Sequence, residues 1–444
     1  MADNTKKEAA AGPPSGGGIN ATALAALGGD GPDRLAKAFE HELSLSSRTV
    51  HADDYINTHR AVAPPLHVSA TYRYGSEPDE LRYMENIDPN NPYDSHIYSR
   101  DSAPNTTRLE AILTSVLNGP AITYGSGLAA FHALIVFLNP KRVAIGKVGY
   151  HGCNGVLRLV AKLTGLEQLD LDSEADLARL QPGDLVHVET PVNPTGEARD
   201  LDRFVRLARE RGCYVSVDAT FAPPPLQDPL RHGADVVMHS GTKYIGGHSD
   251  MLCGVLAVNP RRDAAEGWLR RLRDERMMLG SVMGSLEGWL GVRSLRTLEL
   301  RVERQSASAG RLVAWLAGES KPGSSGNAFS AAARVVQRVS HASLQPEAAD
   351  RDSWLRKQMP RGFGPVFCIW LRDERDARRL PSRLRLFHHA TSLGGVESLI
   401  EWRAMTDSRS DRNLLRVSVG VEGWEDLKAD LEQGFEALLR EDGA

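Results

Sequence analysis

From about residue 108 the chain alternates between two hydrophobic periods. The segment "TTRLEAILTSVL" spaces its apolar residues three and four apart, the period of a helix with one buried face. Short apolar runs bounded by glycine, proline or polar residues read as buried strands: "AITYGSG", "RVAIG", "GDLVHVETP", "CYVSVDAT", "ADVVMHSG" and "CGVLAV". Between them lie "LAAFHALIVFL", apolar at helical length, and "LDRFVRLARERG", an amphipathic helix with a glycine just past its end. Strands alternating with helices predict right-handed crossovers and a mostly parallel sheet covered on both faces, an α/β fold.

The pattern changes on either side of this region. Residues 47–107 are rich in turn formers ("VAPPLHVSATYRYGSEPDE", "IDPNNPYDSH") with little helical periodicity, which predicts an extended arm lying over another surface. Residues 1–46, opening with "MADNTKKEAAAGPPSGGGIN", cannot bury enough apolar surface to offset chain entropy and are expected to form a mobile extension. A short regulatory or targeting tail is the other reading of this stretch. Around 293–317, "RSLRTLELRVERQSASAGRLVAWL" reads as one long helix that joins two domains, followed by the Gly/Ser-rich loop "GESKPGSSGNAFS". The remainder, with "VFCIWLRD", "LRLFHHATSL", "NLLRVSVGVE" and the closing helix "WEDLKADLEQGFEALLRE", reads as a smaller α+β domain. The expected division is an extension (1–46), an arm (47–107), a large domain (108–300) and a small C-terminal domain (301–444).

Composition narrows the function classes. A net charge of −4 across 444 residues gives no reason to expect nucleic acid or an anionic membrane. No apolar run approaches the roughly 20 residues that cross a bilayer. The N-terminus lacks the apolar core of a signal peptide, and it carries Asp3 and Glu8 but no arginine, unlike a mitochondrial presequence. The four cysteines (Cys153, Cys213, Cys253, Cys368) are widely spaced with no CxxC pair, so neither a disulfide framework nor a zinc site is expected. A cytoplasmic compartment fits.

Candidate chemistry gathers at strand ends, where ligands of open α/β sheets bind. Asp218 closes "VSVD"; Ser240, Thr242 and Lys243 follow "VVMH"; Asn193 follows "VHVETP"; Ser126 and Gly127 follow "AITYG". One cofactor, pyridoxal phosphate, would use all of them. It needs a lysine to form an imine, a carboxylate opposite its pyridine nitrogen, and donors for its phosphate. The turn "GSGLAA", opening a helix, offers free N–H groups and a positive dipole end to that phosphate. Each residue alone has a plainer reading: a solvated lysine, a capping aspartate. "GSGLAA" also matches a dinucleotide fingerprint, but the acid expected roughly 20 residues on is absent. His239, His248 and Asp250 fit no common zinc spacing, so no metal is expected.

Together these segments closely resemble the Cys/Met-metabolism family of pyridoxal-phosphate enzymes, the cystathionine γ-synthase and γ-lyase group of fold type I. The resemblance runs from about Thr49 to the C-terminus. It is carried most specifically by "ADVVMHSGTKYIGGHSDMLCGVL", and by "VETPVNPTG", "VSVDATFAPPPLQDPLRHGAD", "YSRDSAPNTTRLE" and "TSLGGVESLIE". It implies that Lys243 is the Schiff-base lysine and proton shuttle, that Asp218 pairs with the pyridinium nitrogen, and that Tyr150 stacks on the ring and assists proton transfer. It implies that the backbone of Gly127 and Leu128 and the hydroxyls of Ser240 and Thr242 hold the phosphate. Tyr98 and Arg100 would reach the phosphate of a neighbouring subunit, which implies a homodimer or homotetramer with shared active sites. Arg416 would clamp the carboxylate of a small amino-acid substrate, with Ser392 and Asn193 nearby.

The chain also departs from that family. Ala219 stands where a polar residue is usual, and His151 follows Tyr150 where glycine is usual. Thr391 occupies the place of a glutamate that holds the distal ammonium of cystathionine in members handling that substrate. The expected activity is γ-replacement on an activated homoserine, O-acetyl-L-homoserine first, by a sulfur, carbon or nitrogen nucleophile. A γ- or β-lyase using the same residues and a cofactor-binding protein without turnover are the alternatives.

Overall fold

The computed structural model describes residues 42–56, 61–81, 83, 96–320 and 330–442. The expected extension at 1–46 therefore lies almost wholly outside the described residues, as do 57–60, 82 and 84–95 of the expected arm. Where it is described, the arm is not extended throughout. Its start is a helix, α1 (Leu45–His51), capped by Ser44, whose hydroxyl accepts from the Ser47 N–H. Seven residues are too short to show a helical period amid turn formers. Tertiary contacts hold the helix instead, with Leu45 and Thr49 buried and Arg48 donating to Asn118 Oδ1 at 2.8 Å.

The first sheet has seven strands: β1 (Ala121–Tyr124), β2 (Arg142–Ile145), β3 (Glu167–Asp170), β4 (Leu185–Glu189), β5 (Tyr214–Asp218), β6 (Val236–Ser240) and β7 (Gly254–Val258). They lie in the order β1-β7-β6-β5-β4-β2-β3. The run from β6 to β3 is parallel, and β7 is antiparallel to both its neighbours. The mostly parallel sheet is as the hydrophobic pattern predicts. β3 is the exception to legibility: it is an edge strand, "EQLD", with one buried residue, so it shows no apolar run.

Helices α2 (Pro104–Val116), α3 (Gly127–Leu138), α4 (His151–Thr164) and α5 (Leu201–Glu210) cover the sheet. Alternate residues of the central strands feed two separate cores. Val186, Val188, Val215, Val217 and Val237 pack with Leu109, Leu113 and Phe204 on one face. Leu185, Val236 and Met238 pack with Phe131, Leu134 and Leu157 on the other. Burial on both faces is why these strands read as unbroken apolar runs.

The single long helix expected at 293–317 is two helices, α6 (Ser285–Leu295) and α7 (Leu298–Glu319). The break has a local cause. The Ser294 carbonyl is taken by the Thr297 N–H and hydroxyl, both at 3.2 Å, and by Arg301 Nη2 at 2.9 Å. It is thus drawn away from the next helical amide.

The second sheet comprises β8 (Val336–Ser340), β9 (Val366–Leu371), β10 (His388–His389), β11 (Leu399–Trp402) and β12 (Leu414–Ser418), ordered β10-β11-β12-β9-β8. Helix α7 and the closing helix α8 (Trp424–Asp442) pack on one face, through Leu312, Leu316, Leu431 and Phe435 against Ile369, Ile400, Leu415 and Val417. Strand alternation then places Glu401 and Arg416 on the opposite face as a cross-strand pair. Phe435 is fully buried in this core. Phe435→Ala is expected to cost about 3–5 kcal/mol, measured by chemical denaturation. Among the described residues no helix is long and apolar enough to cross a membrane.

Candidate active site

The carboxyl ends of β4, β5 and β6 meet the N-termini of α3 and α4 and the loop before β11 around a cavity of about 430 Å³. One end of the cavity is rich in open donors. Ser126 caps α3, with its hydroxyl accepting from the Ala129 N–H at 3.1 Å and its carbonyl from the Ala130 N–H at 3.0 Å. The N–H groups of Gly127 and Leu128, first in the helix, have no partner within it, and both residues line the cavity. Ser240 closes β6 beside them, its N–H donating to Thr220 Oγ1 at 2.9 Å. The Thr242 hydroxyl also lines the cavity and accepts from the Cys253 N–H at 3.0 Å. Amides at a helix start with two hydroxyls make an anion site.

The cavity also holds two carboxylic acids, Asp218 buried and Glu189 half-buried. Glu189 and Asp218 end adjacent parallel strands and are register partners. Asp218 Oδ1 accepts from the Thr220 N–H at 3.0 Å and its hydroxyl at 2.6 Å. Glu189 accepts from the N–H groups of Tyr150 and Asn193, at 2.7 and 2.5 Å. Burial raises the pKa of both, and for Glu189 the neighbouring Asp218 raises it further. Two such groups titrate as a pair rather than independently. Because the folded pKa of Glu189 lies above its ordinary 4.5, its contribution to stability is complete below that value and is lost as pH rises through the folded pKa. Cofactor-free protein is therefore expected to melt at a lower temperature at about pH 8 than at about pH 5, and Glu189→Gln to flatten that slope. Thermal melts across this range check both.

Lys243 also lines this cavity. Its Nζ donates to Ser392 Oγ at 2.8 Å. Burial, and then the charge of Arg416, push its pKa down to about 8 against the opposing pull of Glu401. The amine is thus far more often neutral near physiological pH than an ordinary lysine. Two glycines permit close packing around this segment, Gly247 against Arg301 and Gly394 against the Lys243 backbone. Gly247 has φ +67°, and a Cβ there would meet Arg301 Nη1 at 2.0 Å. Gly394 has φ +81°, and a Cβ there would fall 2.9 Å from the Tyr244 amide nitrogen and 3.0 Å from the Lys243 carbonyl carbon.

On the side of the second sheet, Arg416 donates to Asn193 Oδ1 at 3.1 Å and to the Ser392 carbonyl at 2.9 Å. It also pairs with Glu401 Oε2 at 2.6 Å. Burial pushes Glu401 up, but Arg416 and Arg403 outweigh it and hold the carboxyl below its usual range. Tyr150, at the start of α4, lines the cavity with its phenol raised by burial first, and His151 stands 5.2 Å away, ring centre to ring centre. Behind Asp218, the Cys153 thiol and the His187 ring bring their ligand atoms within 4.8 Å of its carboxylate. Burial holds Cys153 protonated and pushes His187 down to about 4, and His187 Nδ1 is bonded to Ser216 Oγ at 2.8 Å.

The structure brings Lys243, Asp218, Ser240, Thr242, Gly127, Leu128, Tyr150, Asn193, Thr391, Ser392 and Arg416 to this one cavity. Tyr98 and Arg100 are not among its walls. Tyr98 is 46% exposed, and Arg100 reaches the Met277 carbonyl at 3.1 Å. Sequence reasoning missed Glu189, Thr220, Glu401 and Arg403. The strand-end position of Glu189 is the same signal that marks Asp218. Glu401 and Arg403 have none, because "LIEW" is too short to announce a strand.

An open anion site, a desolvated lysine and a buried acid at successive strand ends satisfy the three needs of pyridoxal phosphate. On this sheet they define a fold type I pyridoxal-phosphate enzyme. The model of the Cys/Met metabolism PLP-dependent enzymes matches residues 46–436, and the chain belongs to that family. It is 31% identical to cystathionine beta-lyase of Lactococcus lactis subsp. cremoris, over 88% of this chain and 99% of that one. It is 34% identical to cystathionine gamma-synthase of Escherichia coli strain K12, over 85% and 93%. Among solved structures, the cystathionine gamma-lyase CalE6 of Micromonospora echinospora superimposes with a TM-score of 0.75 at 33% identity, covering 89% of this chain and all of that one.

Proposed function

We propose that this enzyme catalyses γ-replacement on an O-acylated homoserine, O-acetyl-L-homoserine first, by a sulfur, carbon or nitrogen nucleophile. The observation that carries this reading is the distribution of charge in the cavity. The acids in its lining, Glu189 and Asp218, both sit at the strand ends, while the rim beside Ser392 carries neutral Thr391. A substrate with a distal ammonium group finds no carboxylate there among the described residues, whereas a neutral ester does not need one.

Pyridoxal phosphate, when bound, supplies an electron sink for charge developing at the substrate Cα. Gly127, Leu128, Ser240 and Thr242 hold its phosphate, Asp218 its pyridine nitrogen, and Tyr150 its ring face. Arg416, aided by Asn193 and Ser392, clamps the α-carboxylate, and its planar fork suits that ion. This orients Cα toward Lys243, whose lowered pKa suits it to take the Cα proton and relay one. The Cγ–O bond breaks and acetate leaves. A bond from the nucleophile to Cγ forms, and the nucleophile gives up its proton. Tyr98 and Arg100, outside their own cavity, serve the phosphate end of a second copy's site, so the working unit is a homodimer or a pair of them. Four buried free cysteines agree with a cytoplasmic setting.

Lyases among the relatives favour a second reading, in which no nucleophile bonds to the side chain: the leaving group departs, water releases the remaining carbon skeleton as a 2-oxo acid with ammonia, and the enzyme is a γ- or β-lyase. Incubation with O-acetyl-L-homoserine, with and without hydrosulfide, small thiols, carbon acids and amines, separates the two by mass spectrometry. Replacement products are expected. A 2-oxo acid as the sole product in every mixture would reject the synthase reading.

A further inference from the structure

Arg403 has no task in the reaction so far described. It begins the short turn after β11, is 5% exposed, and lines the cavity. Its Nη1 donates to Glu401 Oε2 at 2.9 Å, the same oxygen that Arg416 holds at 2.6 Å. The other oxygen of Glu401 accepts from Thr406 Oγ1 at 2.8 Å. One carboxylate therefore serves two buried guanidinium groups, and the trio keeps a net positive charge. Arg403 Nε is buried and has no hydrogen-bond partner.

A buried cation with an idle donor is costly unless an anion completes it. The α-carboxylate of the substrate supplies one anion, and Arg416 stands ready for it on the fixed supports of Asn193 and Ser392. The nearby acid Asp407 does not supply the second, since it is paired with Arg409 Nε at 3.1 Å. His151, in the same cavity lining, also has a buried ring nitrogen, Nδ1, without a partner.

Building on the γ-replacement reading, we propose that Arg403, which shares the cavity lining with His151 and Thr391, forms a second anion subsite, so that one reactant carries a carboxylate besides the α-carboxylate. That group is either the far end of the acyl ester or part of the nucleophile. The chemistry is shared, and the two sources separate experimentally. The neutral Thr391 is then part of the same design: a glutamate there would repel the ion that Arg403 awaits.

The test uses cofactor-loaded wild type, Arg403→Met and Arg403→Lys with two matched pairs. The ester pair is O-acetyl- against O-succinyl-L-homoserine with hydrosulfide. The nucleophile pair is 2-mercaptoethanol against mercaptoacetate on O-acetyl-L-homoserine. In one pair the Met variant is expected to lower the charged-over-neutral ratio of kcat/KM by about tenfold to a hundredfold, with partial recovery in the Lys variant. The pair that responds names the source. The proposal is overturned if the ratio is the same in both pairs, or if KM for both esters rises together, since Arg403 would then be a second clamp on the α-carboxylate or a prop for Glu401. Succinate titrated into loaded protein by calorimetry gives a readout independent of turnover. Its dissociation constant should rise at least tenfold in Arg403→Met, and an unchanged value overturns the subsite. Loss of the succinate effect would sink the subsite alone, whereas absence of any replacement product in wild type would sink the γ-replacement reading alone.

Discussion

Lys243→Ala is expected to abolish the yellow absorbance of the lysine-linked cofactor and to lower turnover on the order of 10³-fold or more. The size follows from two roles in one atom. In the proposed reaction Nζ is the covalent anchor, and among the described residues it is the only lysine amine in the cavity lining that could move a proton at Cα. The lowered pKa strengthens the argument: burial and Arg416 bring it to about 8, so the neutral, reactive amine is well populated where an exposed lysine is almost wholly charged. The phosphate end and Asp218 remain in the variant, so the cofactor is expected to bind without a covalent link and to wash out on dialysis. Absorbance before and after dialysis, with single-turnover assays, checks this. Retention of the yellow band would remove Lys243 from its assigned role.

Arg416→Ala is expected to raise KM for the homoserine ester roughly a hundredfold while leaving the absorbance band in place. A charge-assisted hydrogen bond contributes about 1.5–3 kcal/mol, and the clamp offers two. Folding should survive, because Glu401 keeps Arg403 at 2.9 Å and Thr406 at 2.8 Å and is not stranded. The variant also removes a positive neighbour from Lys243, so the lysine pKa rises and the lower limb of the pH profile moves to higher pH. Steady-state kinetics across pH with an absorbance titration read both effects. A fall in kcat at constant KM would reject Arg416 as the carboxylate clamp.

Much of this site is legible in the sequence alone. Asp218, Ser240, Lys243 and Gly127 end or follow apolar runs, and burial on both faces makes those runs unmistakable. The edge strand β3 and the two-residue β10 leave no trace there, since neither buries an apolar row. The break between α6 and α7 depends on which groups claim the Ser294 carbonyl, one of them a side chain from the next helix, Arg301. No spacing rule records that. Glu401 and Arg403 are the costliest omission. Their meaning comes from β11 lying against β12, a pairing that only the fold creates, and from Glu401 facing Arg416 across it.

Ser392 has φ +84°, a left-handed backbone that a serine adopts only when its surroundings insist. Its hydroxyl receives Lys243 Nζ, and its carbonyl receives Arg416 Nη2. A single residue is thus the hinge pin between the lysine proposed to move protons and the arginine proposed to grip the substrate. Displacing it moves both at once. A substitution at Ser392 that cannot hold this backbone angle is therefore expected to disturb both groups together.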